Sequence, residues 1–255
     1  MDKKISVVII TLNEEKIIHK CLSRLKFADE IIVVDSGSID KTVAICEEFG
    51  AKVFYNKFEG YGLQKQFAVS KTKNNWVLAL DADEILTDEL ISEIPKAINK
   101  NNEDITAYQI KAQHVFLNKK FKYGNESKRY FLRIFNKTKG NFNTNVVHET
   151  VNVSGKTIKL KGSFLHYSYE SLEDYFTKFN SYTSFYAKSK SEKNKKYSFF
   201  EIAFKTIFDF LKKYVIDLNF LNGKEGFFWA YYSAVYTTTK CIKTNELFYN
   251  SFDVS

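Results

Sequence analysis

Two hydrophobic periods alternate along the first hundred residues. Residues 5–11 form a continuous apolar, β-branched run, the pattern of a strand buried on both faces. Behind it Ile17, Ile18, Cys21, Leu22 and Leu25 recur at helical spacing. Residues 31–34 are a second apolar run, closed by Asp35-Ser36-Gly37-Ser38. A second helical pattern carries Val43, Ala44 and Phe49 and stops at Gly50, which suits a C-terminal cap. Residues 52–55 predict a third, short strand. The loop Glu59-Gly60-Tyr61-Gly62 leads into a short helix near residues 64–70. Residues 76–80 are a fourth buried strand and end at Asp81. Leu90, Ile91, Ile94, Ala97 and Ile98 predict a further helix. The only proline, Pro95, lies inside it and should kink or split it.

Such β-α-β alternation predicts an α/β fold, a Rossmann-like, mostly parallel sheet with helices on both faces. Ligands of such sheets bind at the carboxyl ends of the strands. Asn13, Glu14, Asp35, Asp81 and Asp83 all fall there. From about residue 105 to 167 the pattern changes to short strand-like pieces, 108–112, 131–135 and 151–153, between polar turns. From Ser168 onward the chain reads as helical and aromatic. Phe200, Phe204, Ile207, Phe208, Leu211, Tyr214 and Val215 share one helical face, with Lys205, Lys212 and Lys213 around the other. Residues 226–239 are uncharged and aromatic but too short to span a bilayer. A basic amphipathic helix with an aromatic face suits a membrane interface. Periodicity alone also fits a helical cap on the catalytic domain.

Composition sharpens this in three places. With 44% hydrophobic residues among 255, the chain can bury a sizeable core. The net charge is +8 and only Arg24, Arg129 and Arg133 are arginines. A lysine-dominated surface suits a phosphate-bearing partner or an anionic membrane, and equally a drift in composition that keeps the protein soluble. No nucleic-acid-binding motif accompanies the charge, so nucleic acid is not an expected partner. Cys21, Cys46 and Cys241 are isolated, which argues against a disulfide framework or a zinc site and fits a reducing compartment. The N-terminal apolar run is short and lacks a small-residue cleavage site, so it reads poorly as a signal peptide.

The candidate chemistry centres on Asp81-Ala82-Asp83, the only Asp-x-Asp of the chain. Two carboxylates at i and i+2 after a buried strand can project around one hard cation whose shell is completed by water and phosphate oxygens. Such a cation neutralises a departing nucleotide diphosphate. An isolated Asp-x-Asp is equally a pair of solvated turn residues, and its position decides for the first reading. Asp35 also ends a buried strand, where it can accept from a base N–H. Ser36, Ser38 and Asp40 beside it are good cap residues for the next helix.

Three ordered segments now make a combination far more specific than any one of them. They are residues 6–15 (SVVIITLNEE), 31–42 (IIVVDSGSIDKT) and 76–84 (WVLALDADE). Together they strongly resemble glycosyltransferase family 2, whose fold is the GT-A nucleotide-diphospho-sugar transferase fold. Residues 58–66, Val147-His148-Glu149, 165–169 and 221–226 resemble one branch, the lipopolysaccharide core β-glucosyltransferases of the WaaE/KdtX type. The likeness runs from about residue 5 to 243. Ile39 stands where Thr is usual, and Thr72-Lys73-Asn74-Asn75 replaces a Gly before Trp76.

The resemblance implies roles. Thr11, Asn13, Glu14 and Asp35 line the base and ribose pocket. Lys65 meets the diphosphate, or is a solvated helix lysine. Asp81 lies near ribose and metal, and Asp83 binds the metal, Mg2+ or Mn2+. His166 completes the metal site, or is a hydrogen-bonded core histidine. Glu149 is the general base and His148 orients it or the acceptor. Glu84 is a poorer candidate base, because a neighbouring metal would depress its pKa. Arg133 faces a phosphate or carboxylate of the acceptor. The implied domains are 1–167, catalytic, with a nucleotide-sugar half (1–105) and an acceptor half (106–167), and a helical aromatic-rich extension, 168–255. The implied reaction is inverting, metal-dependent transfer of a hexose, glucose by resemblance, from a UDP-sugar to a lipid-linked glycan such as lipopolysaccharide core. The implied place is the cytoplasmic face of the inner membrane, in peripheral contact with anionic lipid. Transfer to another surface glycan, or a non-catalytic nucleotide-sugar-binding module, is the alternative. A nucleotidyltransferase would want a Gly-rich loop after the first strand, and Thr11-Leu12-Asn13-Glu14 is not one.

Overall fold

The computed structural model describes residues 2–100, 102–145, 149–169 and 171–250. The chain divides into two compact units, residues 1–113 with 129–167, and 114–128 with 168–255. The sequence pattern suggests one division, at residue 167. The fold adds residues 114–128 to the helical unit.

In the first unit the strands β1 (Ile5–Thr11), β2 (Glu30–Asp35), β3 (Lys52–Tyr55) and β4 (Trp76–Asp81) pair in parallel in the order β3-β2-β1-β4. Helices α1 (Ile18–Leu22), α2 (Thr42–Glu48) and α3 (Tyr61–Ser70) connect them. The continuous apolar runs are explained by burial on both faces. Val7, Ile9, Leu78 and Leu80 pack on one side, and Val8, Val34, Val77 and Ala79 on the other. After β4 come β5 (Glu84–Leu86), α4 (Asp88–Ile98) and β6 (Ile105–Phe116). The hairpin strand β7 (Lys119–Lys120) pairs with the far end of β6 in the second unit. Strands β8 (Tyr130–Asn136), β9 (Gly140–Phe142), β10 (Val151–Val153) and β11 (Lys156–His166) complete the set. The main sheet continues β4-β8-β6-β11-β5, and β9 with β10 forms a separate ribbon. The β4–β8, β8–β6 and β11–β5 pairs are antiparallel.

Pro95 neither splits α4 nor ends it. Thr87 caps the helix, and Leu90, Ile94, Ala97 and Ile98 bury one face. That burial outweighs the single backbone hydrogen bond that proline removes.

The second unit holds α5 (Leu172–Ser191), α6 (Phe199–Leu211) and α7 (Lys224–Asn250). A π-helical turn, Lys212–Ile216, and a 3-10 turn, Asn219–Asn222, join α6 to α7. Its core is aromatic, with Phe116, Phe121 and Tyr175 packed against Tyr169, Phe179, Trp229 and Tyr232. The segment 221–226 is structural here. Asn222 Oδ1 accepts from the Lys122 and Tyr123 amides at 3.1 and 3.2 Å, and its Nδ2 donates to Tyr123 O. A Cβ on Gly226 would lie 1.9 Å from Asn219 O, so only glycine fits there. Among the described residues no helix is long and apolar enough to cross a membrane.

Candidate active site

The parallel register brings the carboxyl ends of three strands level. Thr11 pairs with Asp35, and Ile10 with Asp81. Asp35 is buried, and its four acceptor positions are filled from its own surroundings. Oδ1 accepts from the Gly37 and Ser38 amides at 2.8 Å, and Oδ2 from the Thr11 and Ser38 hydroxyls. Ahead of α2, whose N-cap is Lys41, Asp40 accepts from Thr42 N at 2.9 Å. Asn13 adopts a left-handed φ of 58° and accepts from Ile39 N, and Glu14 N donates to the Thr42 hydroxyl. Thr11, Asn13, Glu14 and Asp35 thus form one interlocked pair of loops. Asp35 shapes this rim by holding the Thr11 and Gly37-Ser38 sides together. Asp35→Ala should leave two amides and two hydroxyls without their acceptor and lower stability by about 1–3 kcal/mol. Donor KM should rise more than kcat falls, because a reshaped rim weakens ground-state and transition-state binding alike. Thermal melts and steady-state kinetics test this, and a pure kcat defect would refute it.

Beside that rim lies a buried network of charges. Lys65 reaches from α3, and its Nζ is 2.8 Å from Asp81 Oδ1 and 2.6 Å from Glu149 Oε1. Arg133, on β8, is 2.8 Å from Asp81 Oδ2 and 2.6 Å from Glu84 Oε1. Burial alone would raise the Asp81 carboxyl, but the charges of Lys65 and then Arg133 outweigh it and hold it far below the usual range. Burial also raises Glu84, which Arg133 only partly offsets. Glu84 lies 1% exposed behind Arg133, which removes it as a base in contact with an acceptor.

Three of the expected site residues meet in this network. Arg133 is buried, and its Nη2 donates to both Asp81 and Glu84. Lys65 is no solvated lysine, being 2% exposed and bridging two carboxylates. Each oxygen of Asp81 meets one cation, Oδ1 that of Lys65 and Oδ2 that of Arg133.

Asp83 stands apart from the network. Its Oδ2 is 3.4 Å from His166 Nε2, and its carbonyl accepts from Tyr167 N at 3.0 Å. The antiparallel pairing of β5 with β11 sets His166 opposite Glu84 and so beside Asp83. Burial would lower the His166 pKa, but the hydrogen bond and charge of Asp83 raise it above the ordinary imidazole value. Among the described residues no group of three His, Cys, Asp or Glu side chains is arranged to hold a metal ion. Of the expected set of Asp81, Asp83 and His166, the last two lie side by side, and Asp81 is paired with Lys65 and Arg133. One carboxylate and one imidazole fit a hard cation that takes its remaining ligands from phosphate and water.

Glu149 is partly buried at the end of a segment that α3 steers. Gly62 N donates to Asn145 O at 3.0 Å, and a Cβ on Gly62 would lie 2.2 Å from Asn143 O. Helix and segment can approach this closely only because residue 62 is glycine. His148 lies outside the described residues. Sequence reasoning missed Gln64, which is fully buried and hydrogen bonds Ser36 and Asn56. Its only signal was its place beside Lys65 in the glycine-loop segment.

Known proteins agree with this architecture. The model for glycosyl transferase family 2 matches residues 6–153, a stretch that ends before His166. A glycosyltransferase of Rickettsia typhi, itself uncharacterised, is 38% identical over 88% of this chain and 81% of its own. The lipopolysaccharide core biosynthesis glycosyltransferase LpsC of Rhizobium meliloti is 29% identical over 91% of this chain and 88% of its own. A crystal structure of glucosyl-3-phosphoglycerate synthase from Mycobacterium tuberculosis, with Mn2+, UDP and glucosyl-3-phosphoglycerate, aligns at 26% identity with a TM-score of 0.36. That alignment takes in 44% of this chain and 44% of that one, less than half of either. With over half of the chain matched by the family model, and a relative aligned along nearly all of it, the expected GT-A fold with its helical extension holds, and the chain belongs to glycosyltransferase family 2.

Proposed function

We propose that this glycosyltransferase moves a hexose, glucose, from a UDP-sugar to a lipid-linked glycan of the lipopolysaccharide core class, with inversion and with Mg2+ or Mn2+ bound. The observation that carries the reading is the single ammonium of Lys65, which touches both Asp81 on the donor side and Glu149 on the acceptor side. The likeness to a lipopolysaccharide core glycosyltransferase over most of both chains supports the acceptor class. An acceptor of that class implies work at the cytoplasmic face of the inner membrane, in contact with anionic lipid.

In this reading the loops carrying Thr11, Asn13, Glu14 and Asp35 hold the base and ribose. Asp83 and His166 hold the cation, which when bound neutralises the leaving diphosphate. Asp81 orients Lys65, and Arg133 with Glu84 behind it holds Asp81 in place. An anionic diphosphate beside Lys65 competes for its ammonium and releases Glu149. The Glu149 carboxylate then takes the proton of the acceptor hydroxyl as that oxygen attacks the anomeric carbon from the face opposite the diphosphate. This orders donor before acceptor.

The test is a screen of nucleotide sugars for metal-dependent binding and slow hydrolysis by the purified protein. UDP-glucose should be turned over with Mg2+ or Mn2+ and spared in a chelator. Absence of turnover for every nucleotide sugar would overturn the reading. A pH series adds a second check. Only neutral imidazole ligates a metal, and Asp83 raises the pKa of His166. Cation affinity should therefore be full above that raised pKa and fall as the pH drops through it. In His166→Ala the calorimetric affinity should be weaker and lose most of this slope. An unchanged slope would remove His166 from the metal site.

A further inference from the structure

Helix α6 carries large apolar side chains on both of its sides. Ile202, Ala203, Thr206, Asp209 and Phe210 are half-buried on the inner side. Thr206 shares a hydrogen bond with Thr238 of α7, and Asp209 accepts from Thr237 of the same helix at 2.9 Å. Its outer side is apolar too. Phe200 is 83% and Phe204 70% exposed, and Ile207, Phe208 and Leu211 continue the same stripe at helical spacing. None of the thirteen residues of α6 is fully buried. Large contiguous apolar patches on a soluble surface mark a binding face.

Charge identifies the partner. The segment entering α6 reads Lys193-Asn194-Lys195-Lys196, with all three lysines exposed, and Lys205 and Lys212 flank the stripe. Two copies meeting face to face through α6 would bring these lysines against one another, which disfavours a homodimer. An anionic bilayer meets both features, with headgroups for the lysines and acyl chains for the phenylalanines. No described helix can span, so the contact is in-plane. We infer that α6 is an interfacial anchor, lying in the plane of an anionic membrane with Phe200, Phe204, Ile207 and Phe208 sunk among the acyl chains. The inference stands on this surface alone. It extends the proposed function by naming the element that holds the enzyme where a lipid-linked acceptor lies.

The experiment is vesicle flotation of the full chain, using phosphatidylcholine mixed with phosphatidylglycerol and phosphatidylcholine alone. The wild type should float with the anionic vesicles and be released as salt rises. The triple variant Phe200→Ser, Phe204→Ser, Phe208→Ser should lose about tenfold or more of this partition. The variant Lys193→Gln, Lys195→Gln, Lys196→Gln should float more weakly and with less dependence on salt. Circular dichroism and nucleotide-sugar hydrolysis without vesicles should be unchanged in both, since none of these residues belongs to the site. A wild type that ignores anionic vesicles overturns the anchor. So does a triple phenylalanine variant that floats equally well, or a wild-type dimer that this variant dissolves. Donor hydrolysis without flotation would leave glycosyl transfer standing and remove the anchor, and flotation without hydrolysis would do the reverse.

Discussion

Glu149→Gln should cut kcat at saturating donor by about 10²-fold or more, while metal affinity stays near wild type and donor affinity does not fall, since the diphosphate no longer competes with a carboxylate for Lys65. An acceptor hydroxyl is a poor nucleophile until a nearby carboxylate takes its proton in the transition state. In the proposed reaction the diphosphate leaves without a general acid, so one base suffices. Glutamine keeps the shape of Glu149 and removes the proton acceptor. The fold should tolerate the change, because Lys65 keeps its 2.8 Å ion pair with Asp81 and no buried charge is stranded. Steady-state kinetics and donor calorimetry on the same preparation test this. Near wild-type turnover would move the base elsewhere. His148→Ala should cost less if it only orients the base or the acceptor.

Asp83→Ala should abolish transfer and metal-dependent donor binding yet leave the melting temperature close to wild type. Its side chain meets only His166 among the charged partners described, and Tyr167 N bonds to the Asp83 carbonyl, which alanine retains. Asp81→Ala should behave differently. It would remove one of the two carboxylates that Lys65 and Arg133 each hold, leaving Lys65 with Glu149 and Arg133 with Glu84, a loss of about 1–3 kcal/mol. The two aspartates of one motif thus separate by melting temperature, one serving the ligand and the other the scaffold. Retained, metal-requiring activity in Asp83→Ala would refute its place as a ligand. Equal melting temperatures for both variants would refute the structural role of Asp81.

The different fates of these neighbours mark how far the chain could be read directly. Local pattern was enough for β1 to β4 and the helices between them. A strand covered on both faces must be apolar throughout, and the polar residue that ends it must stand at the sheet's edge. Asp35, Asp81 and Asp83 were therefore legible as strand-end residues, and the family as the ordered spacing of three segments. Strand β5 was not legible. Three residues after Asp83 show no period, and they become a strand only because β11 supplies the partner.

The sequence alone determined the parallel half of the sheet, the helical and aromatic C-terminal region and the family, because each depends on neighbours within a few positions or on fixed order along the chain. Tertiary structure decided what each polar side chain meets. Lys65 meets Glu149 across 84 positions, and Arg133 meets Glu84 across 49, so no local pattern could report that these charges neutralise one another. His166 reached Asp83 only through antiparallel pairing. The direction in which α6 turns its phenylalanines was likewise decided by packing. Periodicity places residues on a common face, and only the contacts of α6 with α7, through Thr206, Asp209 and Phe210, determine which face is left outside.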